Sequence, residues 1–430
     1  MNRVLVIGSG GREHAIALSL SKSPLLKNLY CAPGNPGTSE IAENVNLGVS
    51  DFESIANFVI DKEIDLIVVG PENPLVDGLR DFLEDRGLLN NRIFVGPGMD
   101  GAKLEGSKEF AKDFMTRWSI PTARFKTFSR GESAEAIEFL KKLSPPYVLK
   151  ADGLAAGKGV VIPEDFDSAV KELNEMLGGK FGKAGERVVI EEYLHGIELS
   201  VFILTDGKDY LLLPNAKDYK RIGEGDTGLN TGGMGAVSPV PFADESFMKR
   251  VEERIIRPTL EGLEKESIEY QGFIFFGLMN CKGDPYVIEY NVRMGDPETE
   301  AVLPRIKSDL LSHFVAMGNG LLSKEKIEIS DSFSLALVAV SGGYPADYKR
   351  GIPIKIESEI TSLIFHSGTE MRDSTLVTSG GRVIVVSSSG EDINTASKKA
   401  YEDIKRVSFD GMYYRNDLGK DLLKYLNNNE

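Results

Sequence analysis

Cysteine is almost absent: Cys31 and Cys281 are the only two in 430 residues, and they lie far apart. They can build neither a disulfide framework nor a thiolate zinc site, which fits a reducing compartment. Long apolar runs are also missing. The opening MNRVLVIGSGGREHA has an apolar stretch that glycine breaks at once, too short for a signal-peptide core or a membrane span, so a cytoplasmic protein with no membrane partner is expected. Positive charge is in deficit, with 50 Lys and Arg against 65 Asp and Glu and a formal charge of −15. That balance disfavours non-specific binding to nucleic acid or anionic lipid, and no nucleic-acid partner is expected. A phosphate ligand must therefore meet locally concentrated Lys, Arg and backbone N–H groups. Internal repeats and low-complexity segments are lacking too.

What is present is an ordinary globular mixture, 41% hydrophobic and 27% charged, in a chain longer than one core usually supports. Two to four domains follow from that length. Apolar runs at 4–7, 29–31, 64–69 and 93–95 read as strands, and 12–20 and 75–84 as helices, so the first hundred residues suggest a parallel α/β layer. The middle reads as α+β with largely antiparallel sheet: a helix at 107–118 and strands at 147–150, 188–192, 198–204, 273–279 and 286–290. Between them, 217–238 carries six glycines and no periodicity, which predicts a long loop. Strands at 334–340 and 382–387 and a helix at 393–407 predict a small C-terminal domain. The expected divisions are 1–102, 103–326 with a mobile part at about 122–192, and 327–430.

Four segments carry chemistry. Gly8-Ser9-Gly10-Gly11-Arg12-Glu13-His14 follows a strand and opens a helix, so its N–H groups and the positive helix end suit a phosphate. A dinucleotide fingerprint wants glycine where Glu13 stands, and no acid ends the strand at Cys31, which disfavours a nicotinamide or flavin oxidoreductase. A plain strand-to-helix corner stays open as the alternative. Loops containing Asn35 and Glu72 fall at the ends of neighbouring strands, the edge where open α/β sheets bind ligands.

Lys150 ends a strand that runs into the glycine-rich stretch 153–159 carrying Lys158, a pairing suited to nucleotide phosphates or else a solvated lysine beside a turn. Gly159, not Ser or Thr, follows Lys158, so this is no Walker motif. Glu191, Glu192, Tyr193 and Leu194, then Glu198, could meet an adenine amine and ribose hydroxyls, or form a hairpin with solvent-facing acids. Glu289 and Asn291, two apart on a strand, project together as oxygen ligands suited to magnesium, with Arg293 near the same face.

In this order, Lys150 with its loop, the Glu-Glu-Tyr-Leu segment and the Glu-x-Asn strand resemble the ATP-grasp fold, in which two α+β subdomains clamp ATP. The strings GSGGREHA, LEGSKEFAKDFM, IPTA, LKADGLAAGKGV, GEGDTGLNTGGMGAVSP, GDPETE, GGYP and GGRV are similar to the phosphoribosylamine–glycine ligase family across essentially the whole chain. The resemblance implies an α/β plus α+β protein: an N-terminal Rossmann-like parallel sheet, the two-subdomain clamp, and a small C-terminal α+β domain. It also implies an ATP-dependent ligase of purine synthesis that joins glycine to 5-phosphoribosylamine through glycyl phosphate, using ATP with magnesium or manganese. A monomer is expected, with a dimer as the alternative.

Carried over by position, Lys108, Lys150 and Lys158 would meet ATP phosphates, and Glu191, Glu192, Tyr193, Leu194 and Glu198 the adenosine. Gly10, Gly11, Arg12, Glu13, Asn35 and Glu72 resemble the phosphoribosylamine pocket, and Asp218, Arg221, Arg293 and Asp296 the site for glycine and the transferring phosphoryl group. Lys150, Asp218 and Arg293 would be catalytic, and Glu289 and Asn291 the metal ligands. Two departures stand out. The strand before Glu289 reads Gly277-Leu278-Met279-Asn280, without a further acid. The family's usual Gln-Asp-His-Lys-Arg is here Lys217-Asp218-Tyr219-Lys220-Arg221, so no role passes to Lys217 or Tyr219. The rivals are another ATP-grasp carboxylase or ligase of the purine pathway, which would lack GDTGLNTGGMGA, and a non-catalytic nucleotide sensor.

Overall fold

The computed structural model describes residues 1–154 and 159–426. The first sheet has five strands in the order Glu43–Asn44, Leu26–Pro33, Asn2–Gly8, Leu66–Val69 and Ile93–Val95. All its pairings are parallel. Val4 to Ile7 and Leu66 to Val68 are fully buried because helices cover both faces, which is why these strands read as continuous apolar runs. The C-terminal ends of Asn2–Gly8, Leu26–Pro33 and Leu66–Val69 lie side by side, and the helix Gly11–Ser21 starts there. The helix expected at 75–84 is two, Glu72–Val76 and Leu79–Asp85. Gly78 separates them in the left-handed region at φ 86°, where a β-carbon would also press on Met99.

Two antiparallel four-stranded sheets form the middle of the chain. One orders Phe125–Ser129, Arg187–Glu192, Tyr147–Ala151 and Val160–Val161, and it has its own core of Phe128, Ala136, Leu140, Leu149, Leu173, Val188 and Ile190. The other orders Tyr210–Leu212, Ile197–Thr205, Gly272–Cys281 and Asp284–Asn291. In its last pair Gly277 faces Glu289 while Leu278 faces Val287, so Ile288 has no cross-strand partner. This bulge frees the Ile288 carbonyl for other use.

The long loop expected at 217–238 is instead four short strands: Lys217–Asp218, Arg221–Gly223, Thr227–Asn230 and Gly235–Ser238. The first and last belong to the C-terminal antiparallel sheet, ordered Lys217–Asp218, Gly235–Ser238, Phe333–Val340, Arg382–Gly390 and Leu363–His366. Gly235–Ser238 pairs with residues a hundred positions on, and Lys217–Asp218 is only two residues long, so local periodicity could not show them. Among the described residues no helix is long and apolar enough to cross a membrane.

Buried Arg305 fastens this sheet to the chain that enters it. It donates to the carbonyls of Ser332 at 2.7 Å and Ser330 at 2.8 Å and to Ser238 Oγ at 2.9 Å. Arg305→Met keeps the volume and strands three acceptors, so urea unfolding should show a loss of about 2–4 kcal/mol; an unshifted midpoint would contradict this account.

Candidate active site

The first cluster sits at the edge of the parallel sheet. Glu13, at the start of the helix, accepts the Gly10 N–H through Oε2 at 2.5 Å and the Arg12 Nε–H through Oε1 at 2.7 Å. The Gly10 donor expected to be free for a phosphate is therefore taken by the loop's own acid. Glu13 also packs against Gly70, where any β-carbon would collide with its carboxylate. Arg12 donates to the Met294 carbonyl at 3.1 Å. Burial opposes its charge, but Glu13, Asp296 and Glu72 outweigh that and raise its affinity for its proton. Asn35 donates to the carbonyls of Ser9 at 2.9 Å and His366 at 2.8 Å, joining the turn to the C-terminal sheet.

Arg293 was expected beside Glu289 and Asn291, but the strand ends at Asn291 and the guanidinium turns toward the first cluster. Its Nη2 lies 2.6 Å from Glu105 Oε1 and its Nε 3.4 Å from Glu72 Oε2. That Nε makes no hydrogen bond among the described residues. Glu105 also accepts the Val292 N–H at 2.8 Å. Asp296 joins the same group, 3.0 Å from Arg382 Nη1. Arg293 and Asp296 thus stand with Glu72 and Arg12 rather than with Asp218.

The second cluster is built on the antiparallel sheets. Lys150 reaches Glu191 Oε1 at 2.9 Å and donates to the freed Ile288 carbonyl at 3.1 Å, which ties the two sheets together. Lys112 meets Glu191 Oε2 at 2.9 Å. Burial pushes the Lys112 ammonium down to about 8, whereas the Glu191 carboxyl, despite burial, is held below its usual range by the two lysines. Glu191 was expected to meet adenosine; its carboxylate is instead enclosed by two ammoniums. Glu192 accepts the Arg124 N–H at 2.8 Å, and the Tyr193 ring stands edge-on to His195, 4.9 Å between centroids. Leu194 is half-buried beside them.

The Lys108 ammonium donates to the Gly153 carbonyl at 3.4 Å, its one hydrogen bond among the described residues, and burial lowers its proton affinity while Glu289 partly offsets this. Lys158 lies outside the described residues. Glu198 pairs with Lys220 at 2.6 Å, and Lys220 stands 3.8 Å from Asp218. Burial, with Glu198 and Glu289 nearby, raises the Asp218 carboxyl. Arg221 does not join them: its Nη1 donates to Gly228 within its own hairpin at 2.8 Å. Lys220 takes the place expected for it. Asn291 is buried and Glu289 partly so, and among the described residues no group of three or more His, Cys, Asp or Glu is arranged to hold a metal. The hard oxygens of Glu289 and Asn291, with Gly277 opposite Glu289, are chemically suited to a divalent cation.

Sequence reasoning missed Glu105, Lys112, Lys220, Glu298 and Arg382. All five lie within strings already quoted, Glu105 and Lys112 in LEGSKEFAKDFM, Lys220 in Lys217-Asp218-Tyr219-Lys220-Arg221, Glu298 in GDPETE and Arg382 in GGRV, but each reads as an ordinary charged residue until tertiary structure pairs it.

A parallel-sheet domain followed by two antiparallel sheets with a lysine–carboxylate cluster between them defines an ATP-grasp ligase, which uses ATP with a divalent metal. Sequence families described as phosphoribosylglycinamide synthetase match the N domain over residues 2–105, the ATP-grasp (A) domain over 106–299 and the C domain over 334–421. The chain belongs to the phosphoribosylglycinamide synthetase (phosphoribosylamine–glycine ligase) family. It is 44% identical over 418 residues to phosphoribosylamine–glycine ligase of Caldanaerobacter subterraneus subsp. tengcongensis, covering 97% of this chain and 99% of that one. The same enzyme of Clostridium acetobutylicum is 45% identical over 419 residues, with 97% and 99% covered. The crystal structure of phosphoribosylamine–glycine ligase from Thermotoga maritima superposes with a TM-score of 0.84 at 37% identity, covering 96% of this chain and 99% of that one. A biotin carboxylase domain of Hydrogenobacter thermophilus, at 16% identity and a TM-score of 0.71, shares the fold alone.

Glu298 yields a pH prediction. Burial, reinforced by Asp218, raises its carboxyl from 4.5 to about 7, against a hydrogen bond from Ser200 at 3.1 Å. Between these values the folded chain binds the extra proton, so stability falls as pH rises from about 4.5 to about 7. Glu298→Gln should flatten that slope by up to ~3 kcal/mol in unfolding series across the window; an unchanged slope would place the titration elsewhere.

Proposed function

We propose that this chain uses ATP to join the glycine carboxylate to the amine of 5-phosphoribosylamine, giving glycinamide ribonucleotide, ADP and phosphate. The observation that carries the assignment of roles is the adjacency of the two clusters: Lys108 feels both Glu289 and Glu105, and Glu105 holds Arg293 beside Glu72. A nucleotide at the second cluster then meets a sugar phosphate at the first. Gly10, Gly11, Arg12, Glu13, Asn35 and Glu72 line the sugar-phosphate pocket in this reading. Lys108, Lys150 and Lys158 take the ATP phosphates, and Glu192, Tyr193, Leu194 and Glu198 the adenosine, with Glu191 fixing Lys150.

Glu289 and Asn291 would hold magnesium, or manganese, which when bound neutralises charge on the β- and γ-phosphates. The glycine carboxylate oxygen bonds to the γ-phosphorus as the bond to ADP breaks. The amine nitrogen then bonds to the carbonyl carbon as the carbon–oxygen bond to phosphate breaks. Lys150 and Arg293 stabilise the charge on the transferring group, and buried Asp218, with its raised proton affinity, accepts the proton the amine releases. The divisions 1–102, 103–326 and 327–430 assign sugar phosphate to the first part and nucleotide to the second, with the part at about 122–192 closing over it. The same reading makes the protein a cytoplasmic monomer, which gel filtration distinguishes from a dimer.

Omitting glycine, phosphoribosylamine or the metal in turn should each abolish ADP release; release without glycine would point to another ATP-grasp activity. With glycine carrying heavy oxygen in its carboxylate, one labelled oxygen should leave in inorganic phosphate. Unlabelled phosphate under turnover would exclude the acyl phosphate. Glu289→Gln keeps the shape and removes the charge, so turnover should drop roughly 100-fold or more at fixed metal concentration with little change in unfolding midpoint. Near-normal activity across a magnesium titration would remove Glu289 from the metal site.

A further inference from the structure

Lys217 and Tyr219, the two positions at which the sequence departs from the family string, alternate with Asp218 and Lys220. Alternation along an extended chain sends the two sets to opposite sides. Asp218 and Lys220 face Glu198 and Glu289 in the candidate site. Lys217 and Tyr219 are buried against the C-terminal segment 413–421 instead. The Lys217 ammonium lies 3.1 Å from Asp421 Oδ2 and 3.7 Å from the Tyr219 ring centroid. The Tyr219 hydroxyl donates to Asp421 Oδ1 at 2.6 Å and accepts the Gly419 N–H at 2.9 Å.

Beyond Tyr219 the chain forms the hairpin of Arg221–Gly223 and Thr227–Asn230, which pairs with itself only at Arg221 with Asn230 and Gly223 with Thr227. The same C-terminal segment holds it from outside. Arg415, only 1% exposed, forks onto Asp417 at 2.8 and 2.7 Å, reaches Asp226 Oδ1 at 2.7 Å and donates to the Arg221 carbonyl at 3.1 Å. Asp417 accepts the Gly225 N–H at 2.8 Å, and the Tyr413 hydroxyl donates to the Ile222 carbonyl at 3.0 Å.

We infer that segment 413–421 is a brace for the strand that presents Asp218 and Lys220, with Arg415 and Asp421 as positioning residues that set which face of 217–221 meets the site. The inference rests on the role proposed for Asp218. The strand Lys217–Asp218 pairs with Val237 and Ala236, Tyr219 adds backbone bonds to Gly235 and Met234, and Ala216 bridges to Ser200; a slip of one residue would put Tyr219 where Asp218 belongs. The planar fork of Arg415 and the double contact of Asp421 with Lys217 and Tyr219 fix that register from the other side.

The test uses the full chain with Arg415→Lys, which keeps charge and loses the fork, Asp421→Asn, and Asp218→Asn as a reference. Asp421 is partly exposed, so its variant carries the test should Arg415→Lys fail to fold. Both brace variants should keep wild-type ADP affinity, lower kcat/KM for glycine roughly 10- to 100-fold, and speed amide hydrogen exchange over 221–230 but not over 197–205. Wild-type kinetics in both, with Asp218→Asn inactive, would overturn the brace and leave the proposed function standing. An active Asp218→Asn would instead remove the role given to Asp218. Exchange then decides: unchanged rates over 221–230 overturn the brace, and faster rates there uphold it.

Discussion

The carboxylate of Glu191, enclosed by Lys112 and Lys150, is the contact on which the centre of the molecule depends. It joins the helix Lys108–Arg117 to the strands Tyr147–Ala151 and Arg187–Glu192, and Lys150 continues to Ile288 in the second sheet. A lone carboxylate buried there would take up a proton; two ammoniums at 2.9 Å keep it charged. Two cations against one anion leave the buried triad with one positive charge, the sign a polyphosphate needs. In a chain of net charge −15, such a local surplus has to be made by tertiary placement.

The first cluster follows the same logic with the signs nearly balanced. Arg12 with Glu13, Arg293 with Glu105 and Glu72, and Arg382 with Asp296 draw on all three parts of the chain. Buried pairs of this kind add little net stability compared with apolar packing, because desolvation consumes most of the attraction. They do fix position: each pair has one arrangement that satisfies its donors. The pocket is therefore assembled only when the N-terminal sheet, the strand ending at Asn291 and the strand Arg382–Gly390 are docked together.

The parts of this arrangement legible in sequence are those set by local pattern. Continuous apolar strands leading into the segments of Gly10, Asn35 and Glu72 announced a parallel sheet with three loops on one edge, and the i, i+2 spacing of Glu289 and Asn291 survived a neighbouring bulge. Residues defined by pairing across the fold were not legible. Lys112 looks like one more charge on an amphipathic helix, and Glu105 like a surface acid near a helix end. Glycine-rich 217–238 hid two strands of the C-terminal sheet because each is only two to four residues long, and Gly235–Ser238 takes its register from Phe333–Val340. Arg221 and Arg293 were placed by resemblance, and a hairpin and a strand end redirected them.

The distribution of unused hydrogen-bond capacity sorts the cations of the site into two kinds. Lys112 and Lys150 are each held by Glu191 and a second oxygen, Arg12 by Glu13 and a carbonyl, and Arg382 by the Asp296 carboxylate and the backbone carbonyls of Asp296 and Gly232. Their geometry is set before any ligand arrives. Among the described residues, Lys108 makes one long side-chain hydrogen bond at 3.4 Å and Arg293 keeps an Nε with none. Burial without full pairing is costly, and it lowers the proton affinity of Lys108 in particular. An anionic group arriving between the clusters would remove that cost while the cations already paired need not move. Binding energy is then gained at these under-paired donors, and the surrounding pairs supply the rigidity that makes their direction specific.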